Sequence, residues 1–249
     1  MRTEVIHGDA LRVLCDLPDA SVDAVITDPP YNSGGRTPND RTGQTALDKY
    51  VSGDAKLNSE LRDFAGDTRD QRGFTVWLTL VLTEALRVAA SGAPLLVFTD
   101  FRQLPVTTDA VQAAGWTWRG IVPWHKPIAR PHRGGFRRSC EYVIWATNGP
   151  VDGAANPVYL DGFYSASQPR GKNRHHITAK PVELMRELVK ICKPGGVILD
   201  PCTGSGSTGV AAIAEGRGFV GIEITRHYSE IAAARIAEAV KASQGPETL

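Results

Sequence analysis

The sequence predicts an α/β fold: a doubly wound, mostly parallel seven-stranded sheet with an antiparallel hairpin at one edge. Three observations carry that expectation. Short apolar runs rich in Val, Ile and Leu alternate with longer segments of helical period. Gly204-Ser205-Gly206-Ser207-Thr208-Gly209 stands between an apolar run and a helical one, the strand–turn–helix context of a nucleotide-type cofactor site. Two apolar runs also end in Asp-Pro, at Asp28-Pro29 and Asp200-Pro201. Proline fixes φ and removes a ladder donor, so each run stops there and a stiff loop begins.

Taken in order, residues 3–7 read as the first strand and 23–27 as the second, a buried run ending at Asp28. A helix over 75–90 leads into a strand at 94–99, and a helix over 104–114 leads into one at 117–122. The run at 141–146 follows closely, so the pair around Trp118 and Val143 reads as the edge hairpin. A helix over 181–192 precedes the strand at 197–199; a helix over 208–215 follows the glycine turn. The last strand spans 219–224 and the last helix 228–242. The whole, 1–249, is expected to be one domain, with its ligands at the carboxyl ends of the strands.

Two segments interrupt this pattern. Residues 32–72 hold seven acids, seven bases and five glycines but only Tyr50 and Phe64 as aromatics, so they read as a mobile insertion: a lid or clamp, or equally a dispensable surface loop. Residues 148–176 are rich in Pro, Gly, Asn and Ser.

Hydrophobic content of 42% and charged content of 22% are ordinary for a soluble globular chain. No signal-peptide pattern and no apolar run of membrane-spanning length occurs, so a cytoplasmic protein without a membrane partner is expected. Cys15, Cys140, Cys192 and Cys202 lack C-x-x-C spacing, which fits reduced thiols and argues against zinc; the pair His175-His176 lacks further ligands at suitable spacing. Net charge is only +1, yet Arg119–Arg138 carries six Arg or Lys and no acid, with Trp124, His125, His132 and Phe136 interleaved. A second acid-free run from Gln168 to Lys180 adds Arg170, Lys172 and Arg174. Basic clusters with planar side chains suit phosphate neutralisation and stacking on nucleic acid, although a charge run is often only a solvated face.

Asp28-Pro29-Pro30-Tyr31 carries the chemistry. Two prolines make a rigid platform with one carboxylate, free carbonyls and one aromatic ring. Asp28 and a proline carbonyl can accept the two hydrogens of an exocyclic amine while Tyr31 stacks on its ring. A plain turn would also accept these residues. Glu223 ends the strand after the glycine turn, where an acid can receive ribose hydroxyls. Gly204-x-Gly206-x-x-Gly209 equally matches a dinucleotide fingerprint, so a nicotinamide oxidoreductase is a competing reading. Asp200-Pro201 ahead of the glycines suits an ammonium-bearing cofactor better than a pyrophosphate, and an oxidoreductase leaves the platform unexplained.

With these motifs the chain resembles the amino-directed DNA methyltransferases, the N6-adenine and N4-cytosine enzymes, in the permuted β group whose catalytic motif precedes the cofactor motif. The resemblance rests on His7-Gly8-Asp9-Ala10, on Asp28 to Tyr31, on His176-x-Thr178-x-Lys180-Pro181, on Asp200-Pro201-x-x-Gly204-Ser205-Gly206 and on Gly221-Ile222-Glu223. It implies a Rossmann-like methyltransferase fold and S-adenosyl-L-methionine as cofactor. It implies N6-adenine methylation of a flipped base in double-stranded DNA, with N4-cytosine methylation or a non-catalytic DNA-binding subunit as alternatives. Asp28, Pro29, Pro30 and Tyr31 would be catalytic. Asp9, Ala10, Asp28, Thr178, Lys180, Asp200, Pro201, Cys202, Gly204, Ser205, Gly206, Thr208, Glu223 and Ile224 would hold the cofactor. Lys126, Arg130, Arg133, Arg137, Arg138, Arg170, Lys172 and Arg174 would meet DNA. Residues 148–176 lie where related enzymes carry target-recognition elements; a segment this short implies either limited protein surface for base reading or help from a second subunit in a homodimer. A cognate restriction nuclease is a further expected partner. Cys202 departs from the usual Phe and removes one aromatic wall beside the cofactor.

Overall fold

A computed structural model describes residues 2–31, 69–129, 131, 133–151, 153–154, 156–168 and 179–244. Most of the predicted insertion at 32–72, and the end of the segment at 148–176, lie outside the described residues. In chain order the elements are β1 Thr3–His7, α1 Ala10–Asp16, β2 Ala24–Thr27, α2 Gln71–Val88, β3 Pro94–Thr99, α3 Leu104–Ala113, β4 Thr117–His125 and β5 Cys140–Thr147. They continue with β6 Tyr164–Ser165, α4 Val182–Leu188, β7 Val197–Asp200, α5 Ser207–Ala214, β8 Gly218–Glu223 and α6 Arg226–Ser243. Among the described residues no helix is long and apolar enough to cross a membrane.

All eight strands join one sheet in the order β1-β8-β7-β2-β3-β5-β4-β6. Every neighbouring pair is parallel except those made by β5, which runs antiparallel to β3 and to β4. Alternate side chains along the strands enter opposite cores. Val25, Leu95, Val97 and Leu199 meet α1, α2 and α3 on one face. Ile26, Leu96, Phe98 and Ile198 meet α4, α5 and α6 on the other. Helix α2 presents Phe74, Leu78, Val81, Leu82, Ala85 and Val88 to the first core, a stripe of helical period, and starts where the Asp70 carboxylate accepts the Gly73 N–H at 2.7 Å.

The doubly wound α/β expectation holds, with three differences. The sheet has eight strands, not seven, because β6, only two residues long, pairs with Trp124 and His125. A two-residue strand has no periodicity to read. The hairpin β4–β5 consequently sits one strand in from the edge. Strand β4 also runs through Pro123 to His125; β6 pairs only with Trp124 and His125, so the proline removes no ladder bond on that side. Finally, α1 was not expected: its seven residues are short, but Asp9 caps it, accepting from Leu11 N and Arg12 N at 3.1 and 3.4 Å.

Candidate active site

Four consecutive strands of the sheet end in acids on one edge. Asp9 follows β1, Glu223 closes β8, Asp200 closes β7 and Asp28 follows β2. This is the carboxyl edge, where an open parallel sheet leaves a crevice. A cleft there is lined by Asp28, Lys180, Met185, Asp200, Thr203 and Gly204 among others. The strands ending at Asp28 and Asp200 are neighbours, since β2 and β7 pair directly.

The glycine turn is held from within. Asp200 accepts the Cys202 N–H at 3.1 Å and the Thr208 hydroxyl at 2.7 Å, tying the strand end to the first turn of α5. Burial pushes its carboxyl up to about 7, against the pull of those two hydrogen bonds. Gly206 has φ +81°, and a Cβ there would lie 3.1 Å from the Ala232 backbone of α6, so only glycine fits. Glu223 receives Gly204 N–H at 3.0 Å and Thr225 N–H at 2.7 Å, so it braces the turn from the next strand. Arg235 of α6 donates to the Ser205 hydroxyl at 3.2 Å. Pro201 is buried, Cys202 is half-buried and lines the cleft, and burial pushes its thiol well up, which leaves it inert. Ala10 is buried in the first core, while Ile224 is exposed and its carbonyl lies 3.2 Å from His7 Nε2.

The platform is held from outside. The Gln103 amide donates to the Tyr31 carbonyl at 2.7 Å. The Tyr31 hydroxyl donates to Glu141 at 3.1 Å. Lys180 donates to Asp28 Oδ2 and stands 3.4 Å from Glu141 Oε2, and Lys126 closes on Glu141 Oε1 at 2.8 Å. The Lys180 ammonium lies 5.1, 5.3 and 5.9 Å from the ring centroids of Phe98, Tyr31 and Trp124. Burial opposes its charge, but Asp28 and Glu141 outweigh that and hold it above the ordinary lysine range. Burial raises the Asp28 carboxyl and Lys180 pulls it partly back. For Glu141 the two lysines win over burial, so its carboxylate stays charged. Burial and the neighbouring carboxylates keep the Tyr31 phenol protonated. Among the described residues Asp28 Oδ1 and Thr203 Oγ1 are buried without a hydrogen-bond partner, and both residues line the cleft. Unpaired buried polar atoms are costly, so two such atoms on residues lining one cleft fit a ligand that supplies hydrogen bonds.

A family model for N6/N4 DNA methylases matches residues 22–234, from the strand before Asp28 to the middle of α6. The chain belongs to that family. YubD of Escherichia coli (strain K12), a protein named for methylase activity, is 31% identical over 241 residues, covering 96% of this chain and 92% of its own length. TTHA0409 of Thermus thermophilus, a DNA modification methylase by name, solved in complex with S-adenosyl-L-methionine, superposes with a TM-score of 0.66 at 23% identity, covering 96% of each chain. The PvuII DNA methyltransferase, titled cytosine-N4-specific, gives 0.68 at 14% identity over 99% of this chain and 94% of its own.

The basic residues of the methylase divide. Strand β4 runs parallel to β3, so the chain leaves the sheet after His125 and rejoins it at Cys140 on the carboxyl edge. Arg133, Arg137 and Arg138 in between are exposed, with Arg138 over the Phe101 ring at 5.1 Å. Lys126 turns inward to Glu141 instead, its side chain 18% exposed. Thr178, Arg130, Arg170, Lys172 and Arg174 lie outside the described residues. The 148–176 segment begins at the opposite edge, where Asn148 donates to the Ala89 carbonyl at 2.9 Å and Asn156 to the Ile191 carbonyl at 2.8 Å. Only its later part returns, through β6, to the edge that carries Asp28.

Sequence reasoning missed Glu141 and Gln103. The signal for Glu141 was available: an acid opening the otherwise apolar run Tyr142-Val143-Ile144-Trp145-Ala146. Gln103 carried none.

Proposed function

We propose that this methylase transfers the methyl group of S-adenosyl-L-methionine to the exocyclic N6 of adenine in duplex DNA, on a base turned out of the stack. The observation that carries the reading is the adjacency of β2 and β7, which brings the rigid Asp28–Tyr31 platform beside the glycine turn across one cleft. Asp200 is placed for an ammonium group, and Glu223 for hydroxyls through lone pairs not used by Gly204 and Thr225. Thr203 supports the same reading with its unpaired hydroxyl. When bound, the cofactor supplies an electrophilic methyl.

The chain supplies position and field. An exocyclic amine is a poor nucleophile because its lone pair is delocalised into the ring. Hydrogen bonds from its two hydrogens to Asp28 Oδ1 and the Pro29 carbonyl favour a pyramidal nitrogen with the lone pair directed outward. Pro30 fixes the backbone that carries that carbonyl, and the half-buried ring of Tyr31 offers a stacking face. Arg133, Arg137 and Arg138 neutralise phosphates beside the cleft. A homodimer would widen the grip on the duplex.

The test is incubation of the purified protein with methyl-labelled cofactor and unmethylated mixed-sequence duplex, then nucleoside mass spectrometry. N6-methyladenine is expected. N4-methylcytosine would keep the platform chemistry and reassign the base. Cofactor binding without any methylated nucleoside would overturn the reading in favour of a non-catalytic subunit.

A further inference from the structure

We propose that Glu141 is a positioning residue of the methyl-transfer site, holding Tyr31 and Lys180 so that Asp28 Oδ1 stays free for the target amine. The inference rests on the proposed function and deepens it.

Its place follows from the one antiparallel strand. Parallel strands bring their last residues to the carboxyl edge; β5, running the other way, brings its first. Glu141 therefore arrives beside the ends of β3 and β4, within reach of Tyr31 beyond β2, and is 8% exposed. Both of its oxygens are committed: Oε1 to Lys126 at 2.8 Å, and Oε2 to the Tyr31 hydroxyl at 3.1 Å and Lys180 at 3.4 Å. A carboxylate this buried is stable only with such compensation. Two of its three partners are themselves part of the platform or bound to it.

Lys180 gives the arrangement its meaning. An ammonium carries three N–H donors and is, to a carboxylate, a stronger competitor for hydrogen bonds than a neutral amine. Left alone with Asp28 it would spread over both oxygens. Glu141 draws it from the opposite side, and it meets Oδ2 while Oδ1 has no partner among the described residues. With two carboxylates and two ammoniums the cluster is also neutral, which spares a cationic cofactor the repulsion of an excess positive charge. Among the described residues the titratable groups in contact with Lys180 are Asp28 and Tyr31 from the end of β2 and Glu141 from β5, with Lys126 from the end of β4 behind it and Asp200 and Cys202 lining the same cleft. Phe98 of β3 and Trp124 of β4 contribute only rings.

Glu141→Gln removes the pull without emptying the space. Its kcat should fall roughly 100-fold, as for a misplacement near 1 Å, with the cofactor Kd and the KM for DNA within about threefold of wild type. The loss should shrink as pH rises, because Lys180 then keeps one carboxylate instead of two, burial prevails, and its deprotonation releases Asp28. A merely structural defect would not shrink in that way. Lys126→Gln, which loosens Glu141 from its outer side, should lower kcat by a smaller factor with KM for DNA unchanged, and decides the matter should Glu141→Gln not fold. A rise in KM for DNA alone would instead make Lys126 a phosphate contact and overturn the inference. A wild type that methylates DNA while both variants match it overturns this inference alone. A wild type that binds cofactor and methylates nothing overturns the proposed function as well, and the two failures are told apart by the wild-type lane.

Discussion

The two walls of the cleft are built on different plans. The glycine turn after β7 is stabilised mostly by neighbours in sequence: Asp200 by Cys202 and Thr208, Gly206 N by the Thr203 carbonyl at 2.8 Å, with Glu223 and Arg235 the more distant braces. The platform after β2 depends on residues from three other parts of the chain, Gln103, Glu141 and Lys180. A wall of local hydrogen bonds forms whenever its own segment folds. A wall of long-range ion pairs exists only when the whole sheet is assembled, and it concentrates charge in a buried place. Damage to the first should therefore remove binding, and damage to the second should remove chemistry.

The largest expected effect tests that division at the platform. Asp28→Ala should lower turnover by more than about 1,000-fold while cofactor affinity, measured by calorimetry, survives; equal losses of both would mean that the walls are one unit. On the other wall, Gly204→Asp replaces a glycine at φ +51° and adds a carboxylate beside Glu223 and Asp200. Cofactor affinity should drop by about 100-fold or more, with the platform ion pairs intact, and unchanged affinity would remove the turn from the binding site.

Lys180→Met should cost about 3–5 kcal/mol in denaturant unfolding, because it leaves the buried Asp28 and Glu141 carboxylates under-compensated. Pairing it with Asp28→Asn should recover part of that, since the cluster then holds one carboxylate and one ammonium.

A milder effect belongs to Asp200, whose carboxyl sits at about 7 instead of 3.8. A raised acid contributes stability that is fully present below its unfolded value and is lost as pH rises through the folded one. Cofactor-free protein should therefore lose stability from about pH 4 to about pH 7 relative to Asp200→Asn. Cofactor affinity should move oppositely, rising by up to about tenfold per pH unit until about pH 7 and then levelling, since the ammonium needs the ionised form. A flat profile in wild type would detach Asp200 from the ammonium. Smallest of all, Arg137→Ala should weaken DNA binding several-fold and lower the salt slope by about one contact, without altering kcat.

Much of this was legible in the sequence because local signals dominate the relevant elements. Asp-Pro after an apolar run marked both strand ends, and the glycine spacing marked the turn. The strand–helix alternation marked the doubly wound sheet, while the adjacency of Asp28 and Asp200 follows from chain order together with the family resemblance. What escaped was either too short to show a period, as α1 and β6 were, or created by the fold alone. Lys126 reads as one base among six in an acid-free run, and only the antiparallel register of β4 with β5 turns it toward Glu141. Lys180 resembles a ligand for the cofactor's methionine end, yet its ammonium closes on Asp28, 152 residues away. Long-range charge pairing leaves no pattern in a linear sequence.

The central claim is that the platform performs methyl transfer and the glycine turn only holds its reagent. Single-turnover methylation of unmethylated duplex by wild type and Asp28→Ala, each saturated with labelled cofactor, tests it most directly. Labelled N6-methyladenine from wild type and none from the variant, at equal cofactor occupancy, is the predicted result. Undiminished methylation by Asp28→Ala would contradict it.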